Sequence, residues 1–120
     1  MMKQRRIAII DYKMSNLFSI KNALDKIGIK SFITSDSKEI LSSDGAILPG
    51  VGSFPEAMRS INNLELAPVL KDFIASGKPF MGICLGMQIL FSESGEFQKT
   101  KGLDILKGSV LPLSGQDIIK

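Results

Sequence analysis

The most informative stretch of the sequence is Gly82-Ile83-Cys84-Leu85-Gly86-Met87-Gln88, which places the single cysteine of the 120-residue chain between two glycines. A continuous apolar run typical of a buried strand, residues 79–83, leads into it, and a helical pattern follows over about residues 85–91. A turn this sharp holds its central residue in a strained backbone conformation, and side chains at the flanking positions would collide. The pattern predicts a thiol that projects from a strand-to-helix junction.

This predicted junction, called the elbow below (residues 82–88), suits a nucleophile, as the equivalent turn does for the serine of serine hydrolases. The thiol of Cys84 would project from the carboxyl edge of the sheet, where open α/β folds bind ligands. It would lie at a helix N-terminus, whose partial positive charge favours thiolate over thiol. The N–H of Leu85, unpaired within the helix, would donate to an oxyanion. A lone cysteine is usually inert and buried, but the flanking glycines favour the nucleophile.

Outward from the elbow, short apolar runs alternate with helical patterns, which is typical of βα units on a parallel sheet. We therefore expect an α/β fold, an open and mostly parallel sheet with flanking helices, in one domain that spans residues 1–120. The predicted strands are residues 5–10, 30–33 (near an edge), 45–48 and 79–83, with two short strands within 103–113. The first predicted helix begins at a cap on Ser15 or Asn16 and stops at Gly28. Further helices are predicted over residues 55–61, 66–76 and 85–91, with a polar loop over 92–101.

A second glycine-containing turn, Pro49-Gly50-Val51-Gly52, follows the third predicted strand. If the third and fourth strands lie side by side, this turn comes close to the elbow. Its glycines permit an unhindered backbone N–H to point at a developing oxyanion. The turn carries little weight alone, because Pro-Gly after a strand most often marks an ordinary turn.

The composition is that of an ordinary globular domain, with 44% hydrophobic and 22% charged residues. The net charge of +3 is spread along a chain with no tryptophan and one tyrosine, which argues against a nucleic-acid surface. No apolar run approaches the roughly 18 residues of a membrane span, and no secretion signal is visible. One cysteine excludes an internal disulfide, so we expect a cytoplasmic protein, with no metal or cofactor.

Three motifs in order now carry a resemblance to a known family: residues 10–17 (Ile-Asp-Tyr-Lys-Met-Ser-Asn-Leu), residues 48–54 (Leu-Pro-Gly-Val-Gly-Ser-Phe) and the elbow. Together they resemble the class I, triad-type glutamine amidotransferases, which have a flavodoxin-like fold. The opening motif is similar, more narrowly, to glutaminase subunits of imidazole glycerol phosphate synthases from histidine biosynthesis. The resemblance covers essentially the whole chain.

The resemblance implies that Cys84 attacks the side-chain amide of glutamine, forms a glutamyl thioester and releases ammonia. It further implies that backbone at Val51 and Leu85 stabilises the oxyanion, that Gln88 holds the amino-acid end of the substrate and that Glu96 assists. Gly50 and Gly52 would shape the oxyanion turn. Ammonia would pass to a (βα)₈-barrel cyclase partner, which makes imidazole glycerol phosphate and an aminoimidazole carboxamide ribonucleotide.

The chain departs from the family pattern because it contains no histidine, whereas the family completes its cysteine with a histidine and a glutamate. We therefore expect the N-terminal part of such a domain, inactive alone for want of a base, and prone to associate through exposed edge strands. Lys13, residues 94–96 and residues 99–102 resemble paralogues that supply ammonia for amidation of surface-polysaccharide sugars, an alternative that ranks behind the histidine-pathway reading. A non-catalytic remnant that docks a partner, and a DJ-1/PfpI-like cysteine protein, are further alternatives. Gln88 and the Pro-Gly-Val-Gly turn favour the amidotransferase over the last of these.

Overall fold

The computed structural model describes residues 5–14, 16–96 and 98–113, in which strands and helices alternate as the sequence predicts. The strands are β1 (Ile7–Ile10), β2 (Ser31–Thr34), β3 (Gly45–Leu48), β4 (Phe80–Gly82), β5 (Phe91–Ser94), β6 (Thr100–Lys101) and β7 (Leu106–Val110). The helices are α1 (Leu17–Lys26), α2 (Ser37–Ser42), α3 (Phe54–Asn63), α4 (Ala67–Ala75) and α5 (Leu85–Gln88).

Four parallel strands form the main sheet in the order β2-β1-β3-β4. This order confirms the predicted α/β class, the edge position of β2 and the neighbouring positions of β3 and β4. The register pairs Leu48 with Gly82, so the chain leaves both strands at the same level of the carboxyl edge. The turn after β3 and the elbow after β4 therefore start side by side.

One face of the main sheet is fully covered. Alternate residues of β1 and β3 point to this face, because side chains on a strand project to opposite sides in turn. Ala8, Ile10, Ala46 and Leu48 are buried there against apolar residues of α2, α3 and α4, among them the fully buried Ile40, Phe54, Ile61, Leu70 and Phe73. Each large side chain buried in this way contributes about 1.5–3 kcal/mol of hydrophobic transfer free energy.

The opposite face of the sheet is only half covered. Helix α1 lies against it, yet none of the residues of α1 is fully buried. An apolar groove of about 250 Å³ remains there, and its lining includes Leu24, Ile47, Phe80 and Met81. The side chain of Met81 is 57% exposed, because no described element covers this part of β4.

Local capping explains where the helices begin. The Oδ1 of Asn16 accepts a hydrogen bond from the N–H of Ser19 at 3.4 Å, which confirms Asn16 as the cap of α1. Ser15, the other predicted cap, lies outside the described residues. The Oγ of Ser53 accepts from the N–H of Glu56 at 3.3 Å and starts α3 one residue before the predicted helix.

The predicted helix over residues 85–91 is wrong in its length, because α5 ends at Gln88 and Phe91 already begins β5. Backbone N–H groups from a later part of the chain form hydrogen bonds with the carbonyl groups at the end of this helix. The N–H of Leu103 donates to the oxygen of Ile89 at 2.8 Å, and that of Ile105 donates to the oxygen of Leu90 at 2.9 Å. These bonds turn the backbone out of the helix.

The predicted polar loop over residues 92–101 and the two predicted strands within 103–113 are also wrong. A second sheet has the order β6-β5-β7, and β7 is one strand that runs through Gly108 at a φ of 141°. Helix α2 was not predicted, because six residues show too little periodicity to read. Among the described residues, no helix is long and apolar enough to cross a membrane.

Candidate active site

Cys84 joins β4 to α5 in a left-handed backbone conformation, with φ 54° and ψ −120°. Such a conformation costs a residue with a side chain of the order of 1–3 kcal/mol, so the surrounding structure must hold it in place. The thiol is exposed at the carboxyl edge of the main sheet. These observations confirm the predicted elbow.

The two glycines of the elbow allow it to pack directly on its surroundings. A Cβ on Gly86 would overlap the carbonyl oxygen of Leu48 and lie 2.7 Å from its carbonyl carbon. A Cβ on Gly82 would lie 2.8 Å from the Cα of Met87. Both obstacles are backbone atoms, which cannot swing aside. The predicted collision at the flanking positions is therefore confirmed.

The residues after Cys84 are placed by the short helix α5. The N–H of Gln88 donates to the carbonyl oxygen of Cys84 at 3.1 Å, and Gln88, which is half-buried, lies one turn after Cys84. Met87 is 47% exposed, whereas Leu90 is buried. A four-residue helix also provides a weaker dipole at Cys84 than the predicted seven-residue helix would.

The glycine turn after β3 touches the elbow through backbone hydrogen bonds. The N–H of Ile83 donates to the oxygen of Leu48 at 2.9 Å, and the N–H of Leu85 donates to the oxygen of Gly50 at 3.2 Å. The predicted closeness of the turn and the elbow is confirmed. Gly50 has no room for a side chain, because its Cβ would overlap the hydroxyl oxygen of Tyr12 and lie 3.0 Å from the nitrogen of Gly86.

Both backbone N–H groups predicted to bind an oxyanion donate to carbonyl oxygens in this conformation. The N–H of Val51 points to the oxygen of Met14 at 2.6 Å, while the N–H of Leu85 is held by the oxygen of Gly50. The carbonyl of Gly50 and the N–H of Val51 belong to one peptide group. Rotation of this single peptide would therefore release the N–H of Leu85 and turn that of Val51 away from Met14.

The turn is built so that this peptide has freedom to rotate. Gly52 follows it with a φ of 111°, in the left-handed region that favours glycine, and the side chain of Val51 is 63% exposed. Glycines at positions 50 and 52 flank Val51, and neither has a Cβ that restricts the backbone torsions beside this peptide.

Glu96 is not brought to the thiol by any hydrogen bond or ion pair among the described residues. It lies after β5, where its N–H donates to the Oγ of Ser94 at 3.2 Å. The described residues also contain no group of histidine, cysteine, aspartate or glutamate side chains arranged to hold a metal ion.

Sequence reasoning missed the part that Tyr12 and Met14 play beside the turn. Both belong to the opening motif (residues 10–17). In the structure, Met14 accepts the N–H of Val51, and Tyr12 is fully buried beneath Gly50. A bulky aromatic residue directly after a buried strand and before a helix cap was the available signal.

An exposed cysteine on a strained turn at the carboxyl edge of a parallel sheet is typical of α/β proteins with a cysteine nucleophile. The family model for glutamine amidotransferase class-I matches residues 8–118. The chain therefore belongs to the class I glutamine amidotransferase family.

The most similar relatives include imidazole glycerol phosphate synthase subunit HisH from Bacillus mycoides (strain KBAB4), which is 53% identical over 107 residues, 89% of this chain and 51% of the relative. The HisH subunit of Lacticaseibacillus casei (strain BL23) is 46% identical over the same shares of both chains. The chain spans about half the length of the curated relatives it matches.

Solved structures of distant proteins share the fold. A glutamine amidotransferase superimposes with a TM-score of 0.72 at 17% identity, over 88% of this chain and 55% of that chain. A peptidase from an acI-B1 Actinobacterium superimposes with a TM-score of 0.66 at 15% identity, over 83% of this chain and 51% of the other.

Replacement of Gly86 by alanine is expected to lower the free energy of unfolding by about 3 kcal/mol or more, because the new Cβ must displace the backbone of β3. Gly95→Ala is the matched control, since its Cβ would meet only the end of the Leu111 side chain at 3.3 Å. Urea denaturation of both variants measures the difference. Equal stability of the two variants would contradict the packing described here.

Alkaline pH is expected to destabilise the fold through Tyr12, because burial raises the pKa of this phenol above its ordinary value. An unfolded tyrosine loses its proton near pH 10, while the folded one keeps it, so the free energy of unfolding falls as pH rises above about 10. Tyr12 is the only tyrosine in a chain without tryptophan, so absorbance at 295 nm reports on it alone. Tyrosinate that appears near pH 10 while circular dichroism still shows a folded chain would contradict this prediction.

Proposed function

We propose that this chain carries the nucleophile half of a glutaminase site, in a glutamine amidotransferase subunit of imidazole glycerol phosphate synthase. The observation that carries the proposal is the strained, exposed Cys84 on its glycine elbow, with the glycine turn hydrogen-bonded beside it. The HisH relatives, about half identical to the chain, support this reading over the alternatives of sugar amidation and of a DJ-1/PfpI-like protein.

In the proposed reaction, the thiolate of Cys84 bonds to the amide carbon of the glutamine side chain and the carbonyl oxygen becomes an oxyanion. Collapse of this intermediate breaks the carbon–nitrogen bond, and the nitrogen takes up a proton and leaves as ammonia. Water then hydrolyses the thioester, which yields glutamate and restores the thiol. Gln88, one helical turn from Cys84, would hold the amino-acid end of glutamine. Glu96 is proposed to assist there.

The oxyanion requires donors, and the N–H groups of Val51 and Leu85 are free to serve only after the glycine turn rearranges. We infer that the Gly50–Val51 peptide rotates so that the N–H groups of Val51 and Leu85 both face the oxyanion. Preorganised donors of this kind are worth about 3–4 kcal/mol each in acyl-transfer enzymes. The conformation described above is then a resting state, in which the Gly50 carbonyl occupies the place of the oxyanion.

We propose that the proton for the departing ammonia comes from outside these 120 residues, since the chain contains no histidine. The curated relatives are about twice as long as the matched region, and the family completes its cysteine with a histidine and a glutamate. We propose that residues 1–120 form the N-terminal part of such a domain and depend on the second part for turnover. General acid–base groups of this kind contribute about 10²–10⁴-fold in rate.

The proposed partner is a cyclase subunit with a (βα)₈-barrel fold, to which ammonia passes. There it would be joined to a phosphorylated, ribulose-linked nucleotide intermediate, which gives imidazole glycerol phosphate and an aminoimidazole carboxamide ribonucleotide. The cytoplasm is the proposed site of this reaction. Neither a metal nor a cofactor is needed for the cysteine chemistry.

In the complete protein with its cyclase partner, a glutamine-derived diazo-ketone is expected to label Cys84 and to abolish ammonia release from glutamine. Mass spectrometry locates the label, and Cys84→Ala is expected to lose both labelling and hydrolysis. Met87→Ala is the matched control, because Met87 is an exposed neighbour on the same helix. The 120-residue chain alone is expected to hydrolyse glutamine at least about 10²-fold more slowly, for want of an acid–base group. Absence of label in the complex would refute the glutaminase assignment.

A further inference from the structure

The side chain of Tyr12 lies entirely inside the protein, two residues after β1. It is 0% exposed and belongs to the hydrophobic core. Its main chain is anchored as well, because the Oγ of Ser60 on α3 donates to the carbonyl oxygen of Tyr12 at 2.5 Å. The position of the ring is therefore set from both the strand and the helix layer.

The hydroxyl of Tyr12 has no hydrogen-bond partner within the described part of the chain. Buried hydroxyl groups are nearly always paired, since an unpaired one loses its bonds to water without replacement. Burial also raises the pKa of this phenol, so the hydroxyl keeps its proton and remains a donor at neutral pH. A phenylalanine would fill the same space at no such cost.

The unpaired hydroxyl is aimed at the glycine turn. It lies beside Gly50, so close that a Cβ on this residue would overlap it. The same peptide that blocks the oxyanion position, Gly50–Val51, starts at this point. When this peptide rotates, the carbonyl of Gly50 leaves the N–H of Leu85 and turns towards the side where the carbonyl of Met14 lies. Two carbonyl oxygens would repel each other there, and a hydroxyl donor beside Gly50 would relieve that repulsion.

We propose that Tyr12 is a positioning residue for the glutaminase reaction, whose hydroxyl donates a hydrogen bond to the rotated Gly50 carbonyl and so stabilises the oxyanion-binding form of the turn. The inference rests on the proposed function. In this role Tyr12 need not touch glutamine or the thiol. It acts through the peptide whose orientation determines whether two N–H groups face the oxyanion.

If Tyr12 has this role, the Tyr12→Phe variant is expected to be more stable and less active than the wild-type protein. The resting state loses an unpaired buried hydroxyl, so the melting temperature of the complete chain is expected to rise by about 2–4 °C. The active form loses one hydrogen bond, so kcat for glutamine hydrolysis in the complex with the cyclase subunit is expected to fall about 3- to 10-fold. KM for glutamine should not change, because Tyr12 makes no contact with the substrate.

Phe73→Leu is the control variant, because Phe73 is a buried aromatic residue of α4 in the core and takes no part in the turn. It is expected to lower the melting temperature and to leave kcat unchanged, which separates general stability from the position of the turn. If the wild-type complex hydrolyses glutamine and Tyr12→Phe has an unchanged kcat, the role of Tyr12 is refuted. The proposed function is not affected by that result. A wild-type complex that does not hydrolyse glutamine would overturn both.

Discussion

The backbone contact between Gly86 and Leu48 is the constraint on which the rest of the site depends. A side chain at Gly86 would overlap the carbonyl oxygen of Leu48, so only glycine lets the elbow settle on the end of β3. That contact fixes the start of α5 and holds Cys84 in its left-handed conformation. It also brings the glycine turn within hydrogen-bond distance of the elbow, since Leu85 donates to Gly50. The packing of the elbow, the strained backbone of Cys84 and the position of the glycine turn therefore all depend on this contact.

The orientation of one peptide group then determines whether the N–H groups of Val51 and Leu85 are available at this edge of the sheet. Its carbonyl, from Gly50, accepts the N–H of Leu85, and its N–H, from Val51, donates to Met14. In this conformation Cys84 is exposed, while both proposed oxyanion donors are occupied. The free energy needed to change this is modest, because each backbone hydrogen bond contributes about 0.5–1.5 kcal/mol net. A bound partner or substrate supplies free energy of that size readily.

The elbow and its contact with the glycine turn could be predicted because they depend on local patterns: glycines beside Cys84, a buried strand before it and Pro-Gly after β3. The second sheet could not, since β5 is polar in sequence and exists through pairing with distant residues. The orientation of the Val51 N–H depends on Met14, and the burial of Tyr12 depends on Gly50 having no side chain. Such long-range pairings leave no periodic signal in one sequence.

Amide hydrogen exchange at Val51 tests the central claim most directly. The side chain of Val51 is 63% exposed, so protection of its N–H must come from the bond to Met14 rather than from burial. In the complete chain without glutamine, exchange at Val51 is expected to be clearly slower than in an unstructured peptide. Addition of the cyclase partner and glutamine is expected to remove this protection as the peptide rotates. Exchange at the unprotected rate in the resting chain, or protection that persists during turnover, would contradict the account.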